Sequence, residues 1–574
     1  MYSFKDLQKA SRLKMDGKET KAAVIGNCST QFFSAAVAGY CKLRGINISV
    51  FDADYNQVDE QLIDPDSDVY DFSPEYIIIF LASDKLYEEF LDLGTDDKEH
   101  FAENYISKIE RYWNLAAKHS SARIIQPNFT EINDNALGSF SCKTSASFIF
   151  QLRKLNYLLS EKAAMYANVF TVDFLSLQIE LGAENFRNAA FYYHAKMPIA
   201  LPALPYAAKA VSDVISAISG NIKKCIITDL DNTLWGGIVG DDGPSNIEIG
   251  ELGKGHVFTN LQKWLKQLKE LGIILAVCSK NDEAAAKEPF ISNSEMVLRL
   301  DDFSVFAANW DDKVSNIRLI QKTLNIGMNS IVFIDDNPFE RNLVREMIPE
   351  IEVPELPEDP ARYLDFLQSC NYFETASYTG AGSDRTKLYQ AEFQRKKSEA
   401  EYESIDAYLA SLEMVGTQHP FKPEEYSRIA QLSQRSNQFN LRTVRYTEDE
   451  IKRIAESDEY RTLSFSLRDK FGEHGLVAAV ILKQTAPDTL FADTWFMSCR
   501  VLKRGMEEFI MNSLIGCAKA GGFSFVIGEY IPTKKNSQVK DIYPSMGFET
   551  YGENLYRIDV SKYSVKPTFI GEEQ

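Results

Sequence analysis

A chain of 574 residues with 45% hydrophobic and 25% charged residues has the composition of a folded protein of three or four domains at ~150 residues each, which excludes disordered and fibrous classes. Its 62 basic against 82 acidic residues leave a formal net charge of −20, which disfavours non-specific contact with nucleic acid or anionic lipid. The eight cysteines stand singly, without zinc or redox spacing, and no run of about 18 apolar residues occurs, so a cytoplasmic protein with reduced thiols and no membrane span is expected.

In chain order, short β-branched runs at 22–26, 48–53, 76–82, 122–128 and 169–174 alternate with helical patterns, which predicts a parallel sheet covered on both faces. A second alternation begins at Lys223. CIITDLD, GIILAVCSKN (272–281) and SIVFIDDN (330–337) read as apolar strands ending in polar clusters, where parallel sheets place their sites. WGGIVGDDG (235–243) reads as a short hairpin. VPELPEDPA (353–361) marks a boundary, and 384–413 reads as a long helix with a solvated charged face, a connector into the last domain. From about Arg461 the pattern is strands in succession, a helix over 503–520 and a further strand, which predicts an α+β domain. The expected organisation is therefore an α/β multidomain chain divided at 1–218, 219–370, a helical connector 371–460, and 461–574.

The most specific pattern is Asp229-Leu230-Asp231-Asn232-Thr233, directly after the apolar residues Cys225 to Thr228. Two carboxylates two residues apart at a strand end can divide labour: Asp229 attacks phosphorus, and Asp231 protonates the leaving group and then activates water. A phosphoryl group is anionic, so a cation has to neutralise the site, and Mg²⁺ suits carboxylates plus phosphate oxygens. Asp335 and Asp336, ending the later strand, complete a metal set with Asp229 and Asp231. Ser279, with Asn281, offers polar groups to phosphoryl oxygens, and Lys313 supplies positive charge to the crowded transition state.

These four motifs resemble the haloacid dehalogenase (HAD) phosphohydrolase superfamily, in which Asp229, Asp231, Thr233, Ser279 and Lys313 occupy the motif positions. The resemblance implies a Rossmann-like parallel sheet. The short insertions leave no room for a large cap, so the site admits a bulky, protein-borne group. The longer strings DLDNTLWGGIVGDDG, CSKND, NWDDK, FIDDNPFER and QRSNQFNLRTVRY resemble the FkbH-like family over roughly 220–560. That resemblance implies a phosphatase fold joined to an acyltransferase-like region, acting on 1,3-bisphosphoglycerate, a phosphorylated three-carbon acid. The implied reaction removes phosphate and places a glyceryl group on the phosphopantetheine thiol of an acyl carrier protein.

In the last domain, Arg500-Val501-Leu502-Lys503-Arg504-Gly505 is similar to the (Q/R)xxGx(G/A) loop of GNAT acetyltransferases, whose amides hold a pantetheine pyrophosphate, with Lys503 where a glycine is usual. Asn536 and Tyr543 resemble the closing GNAT segment, which implies Tyr543 as general acid to a departing thiolate. The pantetheine thiol would come from a carrier protein or CoA. Between 500 and 540, Arg500, Lys503, Arg504, Lys519, Lys534, Lys535 and Lys540 outnumber Glu507, Glu508 and Glu529, which suits an acidic carrier as well as it suits a solvated helix face. Cys499, next to Arg500 and before a helix expected to start near Lys503, is a candidate thiolate that takes the acyl group, with His474 as its base. The plainer readings are a small strand cysteine and a turn histidine.

In the first domain Gly26-Asn27-Cys28-Ser29-Thr30 and His194 resemble the GDS turn and DxxH histidine of SGNH hydrolases, a flavodoxin-like parallel fold. Asn27 and Cys28 replace the Asp and Ser, and Phe191 stands where the orienting Asp belongs, so the expected domain is degenerate and used for docking or assembly. A Cys28/His194 thiol pair is the alternative. For the whole chain, two other readings compete with the bifunctional one. They are an acyl-CoA-dependent N-acyltransferase with an accessory phosphatase, and a non-catalytic assembly protein.

Overall fold

The computed structural model of the chain describes residues 2–376, 395, 402, 404–533 and 535–573. It divides into two compact units, Met1–Ser216 and Ala217–Gln574.

The first unit is built on five parallel strands, β1 (Thr20–Gly26), β2 (Ile48–Asp52), β3 (Tyr76–Phe80), β4 (Arg123–Pro127) and β5 (Val169–Val172), in the order β2-β1-β3-β4-β5. Each coincides with one of the β-branched runs. Ile77, Ile78 and Ile79 are completely buried, as expected of a central strand with helices on both faces. Helices Phe101–His119 and Phe148–Ala163 cover one face with Trp113, Leu152 and Leu155.

The second unit contains two sheets. The first is parallel: β6 (Cys225–Thr228), β7 (Ile274–Ser279), β8 (Phe303–Ala308) and β9 (Ile331–Ile334), ordered β8-β7-β6-β9. Strand β8, FSVFAA, was not expected. It carries serine and alanine instead of a β-branched run, and pairing with β7, Leu275 opposite Phe303 and Ser279 opposite Ala308, makes it a strand. The segment 235–243 is not a hairpin: it forms a short helix, Val239–Asp242, while Gly236 pairs with Glu248.

The second sheet is mixed and has eight strands: β10 (Val415–His419), β11 (Tyr460–Asp469), β12 (Gly472–Ala486), β13 (Thr489–Met497), β14 (Phe525–Glu529), β15 (Glu549–Gly552), β16 (Leu555–Asp559) and β17 (Gly571–Glu572). The expected helical connector therefore supplies strand β10, which pairs antiparallel with β11, and helix Tyr426–Arg435, which packs on β12 and β13. The helix expected over 384–413 falls mostly outside the described residues, and its described end is helix Ile405–Ser411. Strands β13 and β14 pair only from Thr489 to Ala492 and then diverge. Residues 439–441 fill the gap: Leu441 donates to Trp495 O (3.3 Å), Met497 to Phe439 O (3.0 Å) and Ile531 to Leu441 O (2.8 Å). Among the described residues no helix is long and apolar enough to cross a membrane.

Candidate active site

Strand β6 is buried throughout, so its polar continuation emerges at the C-terminal edge of the sheet beside the ends of β7, β8 and β9. Asn232 takes the left-handed backbone (φ +54°) and accepts from Gly237 N–H (3.0 Å), which turns the chain sharply after Asp231. Lys313 opens helix Lys313–Leu324 behind the Asp312 cap, and its Nζ donates to Asp229 Oδ2 (2.6 Å) and Asp335 Oδ2 (2.5 Å). Burial would strip Lys313 of its proton, but these two carboxylates outweigh it and hold the ammonium above its ordinary range.

Asp229, Asp335 and Asp336 each place a carboxylate oxygen within 4.8 Å of the others. Asp229 Oδ1 is buried and has no hydrogen-bond partner among the described residues. Burial and the neighbouring Asp229 charge push the Asp335 carboxyl well above the usual carboxylate range against the pull of Lys313, and they raise Asp336 as well. An orphaned buried acceptor among carboxylates that resist being charged together fits a hard divalent cation such as Mg²⁺. Thr233 secures this edge: its hydroxyl accepts from Asp336 N–H (3.1 Å).

Asp231 lies outside that metal set, contrary to expectation. Its Oδ1 accepts from Trp235 Nε1 and Val239 N–H (both 2.9 Å), and its Oδ2 accepts from Asn281 Nδ2 (3.0 Å). These bonds orient the carboxyl, and burial raises it, so it is suited to holding a proton. Ser279 ends β7 in a buried position beside Asn281. Two supporting residues escaped sequence reading. Arg341 donates to the carbonyls of Asp335 (2.9 Å) and Asp336 (2.6 Å), and Lys280 pairs with Glu340 (2.6 Å). The signal for Arg341 was the FIDDNPFER string, whose arginine opens onto the acidic pair from the start of the following helix.

The C-terminal candidates do not assemble as expected. His474 is 2% exposed, and its Nε2 meets Asp469 Oδ2 (3.0 Å) in a buried group with Arg395. Burial lowers its affinity for protons. It does not line the cavity that Cys499 lines, so it is not placed as the base for that thiol. Tyr543 is 1% exposed, stacked on Tyr556, and so close to Gly528 that a Cβ there would lie 2.2 Å from its ring. A general acid for a departing thiolate cannot operate from that core position. Asn536 is fully engaged: it donates to Asn440 O (3.1 Å) and Ile531 O (3.0 Å) and accepts from Thr533 N–H (2.7 Å).

In the loop, Lys503 adopts the left-handed conformation (φ +60°) that favours glycine, and its N–H donates to Glu507 Oε1 (2.9 Å). An amide expected to hold a pyrophosphate thus already serves a carboxylate. Arg504 is buried 3.9 Å from Asp469. Gly505 (φ +81°) caps the helix, which begins at Met506 and not near Lys503, so Cys499 lies away from its positive end. Cys499 itself is half-buried, opens the turn after β13, and accepts at its carbonyl from Asn325 Nδ2 (2.8 Å).

In the first unit, Cys28 is 1% exposed with Sγ 3.9 Å from Phe80 O, and burial raises its thiol. His194 is exposed on helix Ala189–Ala195, and no hydrogen bond joins the two among the described residues.

The FkbH N-terminal domain family matches residues 21–216, which is the first unit. No curated protein matches the chain. Among solved structures, the N-terminal part of the protein BF1531 from Bacteroides fragilis, containing a phosphatase domain complexed with Mg, is 45% identical. It covers 66% of this chain and 100% of its own, with a TM-score of 0.63. The ribosomal-protein-S18-alanine N-acetyltransferase from Escherichia coli is 13% identical and covers 26% of this chain and 97% of its own, with a TM-score of 0.21. The carboxylate edge around Asp229 therefore sits in a chain that is 45% identical, over 66% of its length, to the phosphatase-containing N-terminal part of BF1531 and that carries an FkbH N-terminal domain: this is an FkbH-like protein with a HAD-like phosphatase domain.

Proposed function

We propose that the chain is a Mg²⁺-dependent phosphatase whose phosphoryl removal is coupled to acyl transfer. The donor is 1,3-bisphosphoglycerate, the group is glyceryl, and the acceptor is the phosphopantetheine thiol of an acyl carrier protein. The observation that carries the phosphatase half is Asp229: Lys313 fixes one of its oxygens and leaves the other buried and unpartnered among acids. Mg²⁺ held by Asp229, Asp335 and Asp336 would neutralise the phosphoryl oxygens as they approach these acids.

Asp229 forms an oxygen–phosphorus bond while the bond from phosphorus to the leaving oxygen breaks, and Asp231 gives that oxygen its proton. Water then adds to phosphorus, Asp231 takes its proton, and the Asp229–phosphorus bond breaks to release phosphate. Lys313 stays charged throughout and offsets the charge on the crowded phosphorus. Only the short helix Val239–Asp242 lies between the Asp229 turn and helix Gly255–Glu270, and Trp310 and Phe339 stand exposed after β8 and β9, which supports a substrate presented by a protein.

In the acyl half, the Cys499 thiolate attacks the acyl carbonyl, the carbon–oxygen bond to phosphate breaks, and the carrier thiol then displaces Cys499. The acyl-CoA reading is weaker because the Lys503 amide and the gap between β13 and β14 are already filled from within the chain.

Asp229→Asn should lower Mg²⁺-dependent phosphate release by ~10³-fold or more, because a nucleophile acts as part of a unit. Full turnover in that variant would refute the site. Mass gain on a carrier protein given 1,3-bisphosphoglycerate supports the acyl half, and acylation of an amine from acetyl-CoA would favour the competing reading. An enzyme-bound acyl adduct surviving in Cys499→Ala would exclude the thioester.

A further inference from the structure

Within the second unit a cavity of about 330 Å³ lies between the N-terminal edge of the sheet β8-β7-β6-β9 and the end of β13. Lys224, Arg428, Arg435, Arg500 and Lys535 line it, Cys499 stands in its wall, and among the described residues that line it none is Asp or Glu. Five cations without an acid is an improbable grouping in a chain of net charge −20.

Two of these cations are left uncompensated. Arg500 is 8% exposed, its Nε donates to Ser498 Oγ (3.2 Å), and its Nη1 is buried with no partner. Lys535 is half-buried and donates to Asn221 Oδ1 (3.1 Å), and burial with the charges of Arg445 and Lys223 pushes its ammonium down to about 8. Among the described residues neither has a carboxylate partner. A guanidinium removed from water without a counter-charge destabilises the empty protein, so its retention argues for an anion that completes it.

We propose that this cavity is a second anion site that binds the phosphate of a small organic phosphate beside Cys499, separate from the Asp229 centre. Arginine's planar fork matches phosphate oxygens, and the volume falls at the small end of ligand pockets, below what a whole nucleotide-bearing coenzyme fills. The anion assignment stands on the cavity alone. That the ligand is the donor handled by Cys499 rests on the acyl-transfer reading above.

The test uses the full chain in EDTA, so that it reads nothing of turnover at Asp229. Titration calorimetry with 3-phosphoglycerate and with pantetheine 4′-phosphate is paired with the rate at which iodoacetamide labels Cys499, located by peptide mass. The expected result is saturable binding that slows Cys499 labelling and weakens by about tenfold or more in the Arg500→Met, Lys535→Met double variant, with Arg500→Lys retaining part of it. Protection by 3-phosphoglycerate identifies a free acid, and protection by pantetheine phosphate identifies a carrier's arm. Either supports the site. If neither ligand protects Cys499 in the unaltered protein, or if binding survives in a double variant whose circular dichroism is unchanged, the proposal is overturned. Loss of phosphatase activity in Asp229→Asn bears on neither outcome.

Discussion

The two ends of the sheet β8-β7-β6-β9 differ in sign. At the C-terminal edge the carboxylates of Asp229, Asp335 and Asp336 gather, and the buried Lys313 ammonium bonds the first two. At the N-terminal edge Lys224 and its neighbours enclose a cavity whose described lining holds no acid. Strand β6 separates them by four residues, or about 13 Å, enough for each edge to hold its own electrostatic environment. The lesson lies in compensation. The acidic edge carries its own counter-charge and lacks one more cation, whereas no acid stands among the described residues that line the basic cavity.

That contrast can be broken first at Lys313. Lys313→Met removes the internal cation and should cost about 3 kcal/mol of stability to urea in metal-free protein. Mg²⁺ should recover much of the loss, because a bound ion replaces the missing charge. A deficit that Mg²⁺ leaves untouched would mean the acids do not form a metal site.

Arg500→Met should move stability the other way, raising it by about 1 kcal/mol in ligand-free protein, since an unpaired buried charge is replaced by an apolar chain. Destabilisation comparable to that of Lys313→Met would show that the cavity cation is paired.

A smaller effect sharpens the comparison through pH. Lys535 sits below its ordinary value of 10.5, so between about 8 and 10.5 the unfolded chain holds a proton that the native one has released, and stability contributed by this group rises with pH across that window. Lys535→Met, free of the penalty, should be more stable than the parent at pH 7 and lose that advantage as pH approaches 10. A constant difference would show that neither burial nor the neighbouring charges lower the Lys535 ammonium.

The smallest expected change is Tyr543→Phe, less than about twofold in phosphate release and in carrier acylation, because a buried ring hydroxyl away from both edges touches no substrate. A large loss of acylation with retained fold would restore the general-acid role.

How much of this was legible in the sequence depends on the range of the interaction. The strands of the first unit and β6, β7 and β9 announced themselves as apolar runs, because strands buried on both faces need such side chains wherever they pair. Asp229, Thr233, Lys313 and Asp335 were found because their types and order carry the chemistry, and the sheet topology brings their strand ends together. Strand β8 was missed because its small residues become a strand only through β7.

Roles that depend on direction were equally hidden. Asp231 turns to Trp235 and Asn281 and away from the metal set, Tyr543 points into the core, and Glu507 takes the Lys503 amide, all through contacts that spacing does not encode. The periodic elements and the gathering of acids at one strand edge were readable from local pattern and side-chain type. Tertiary structure alone decided that Lys224, Arg435, Arg500 and Lys535, far apart along the chain, share one cavity beside Cys499, because charge accumulates in space where packing brings distant segments together.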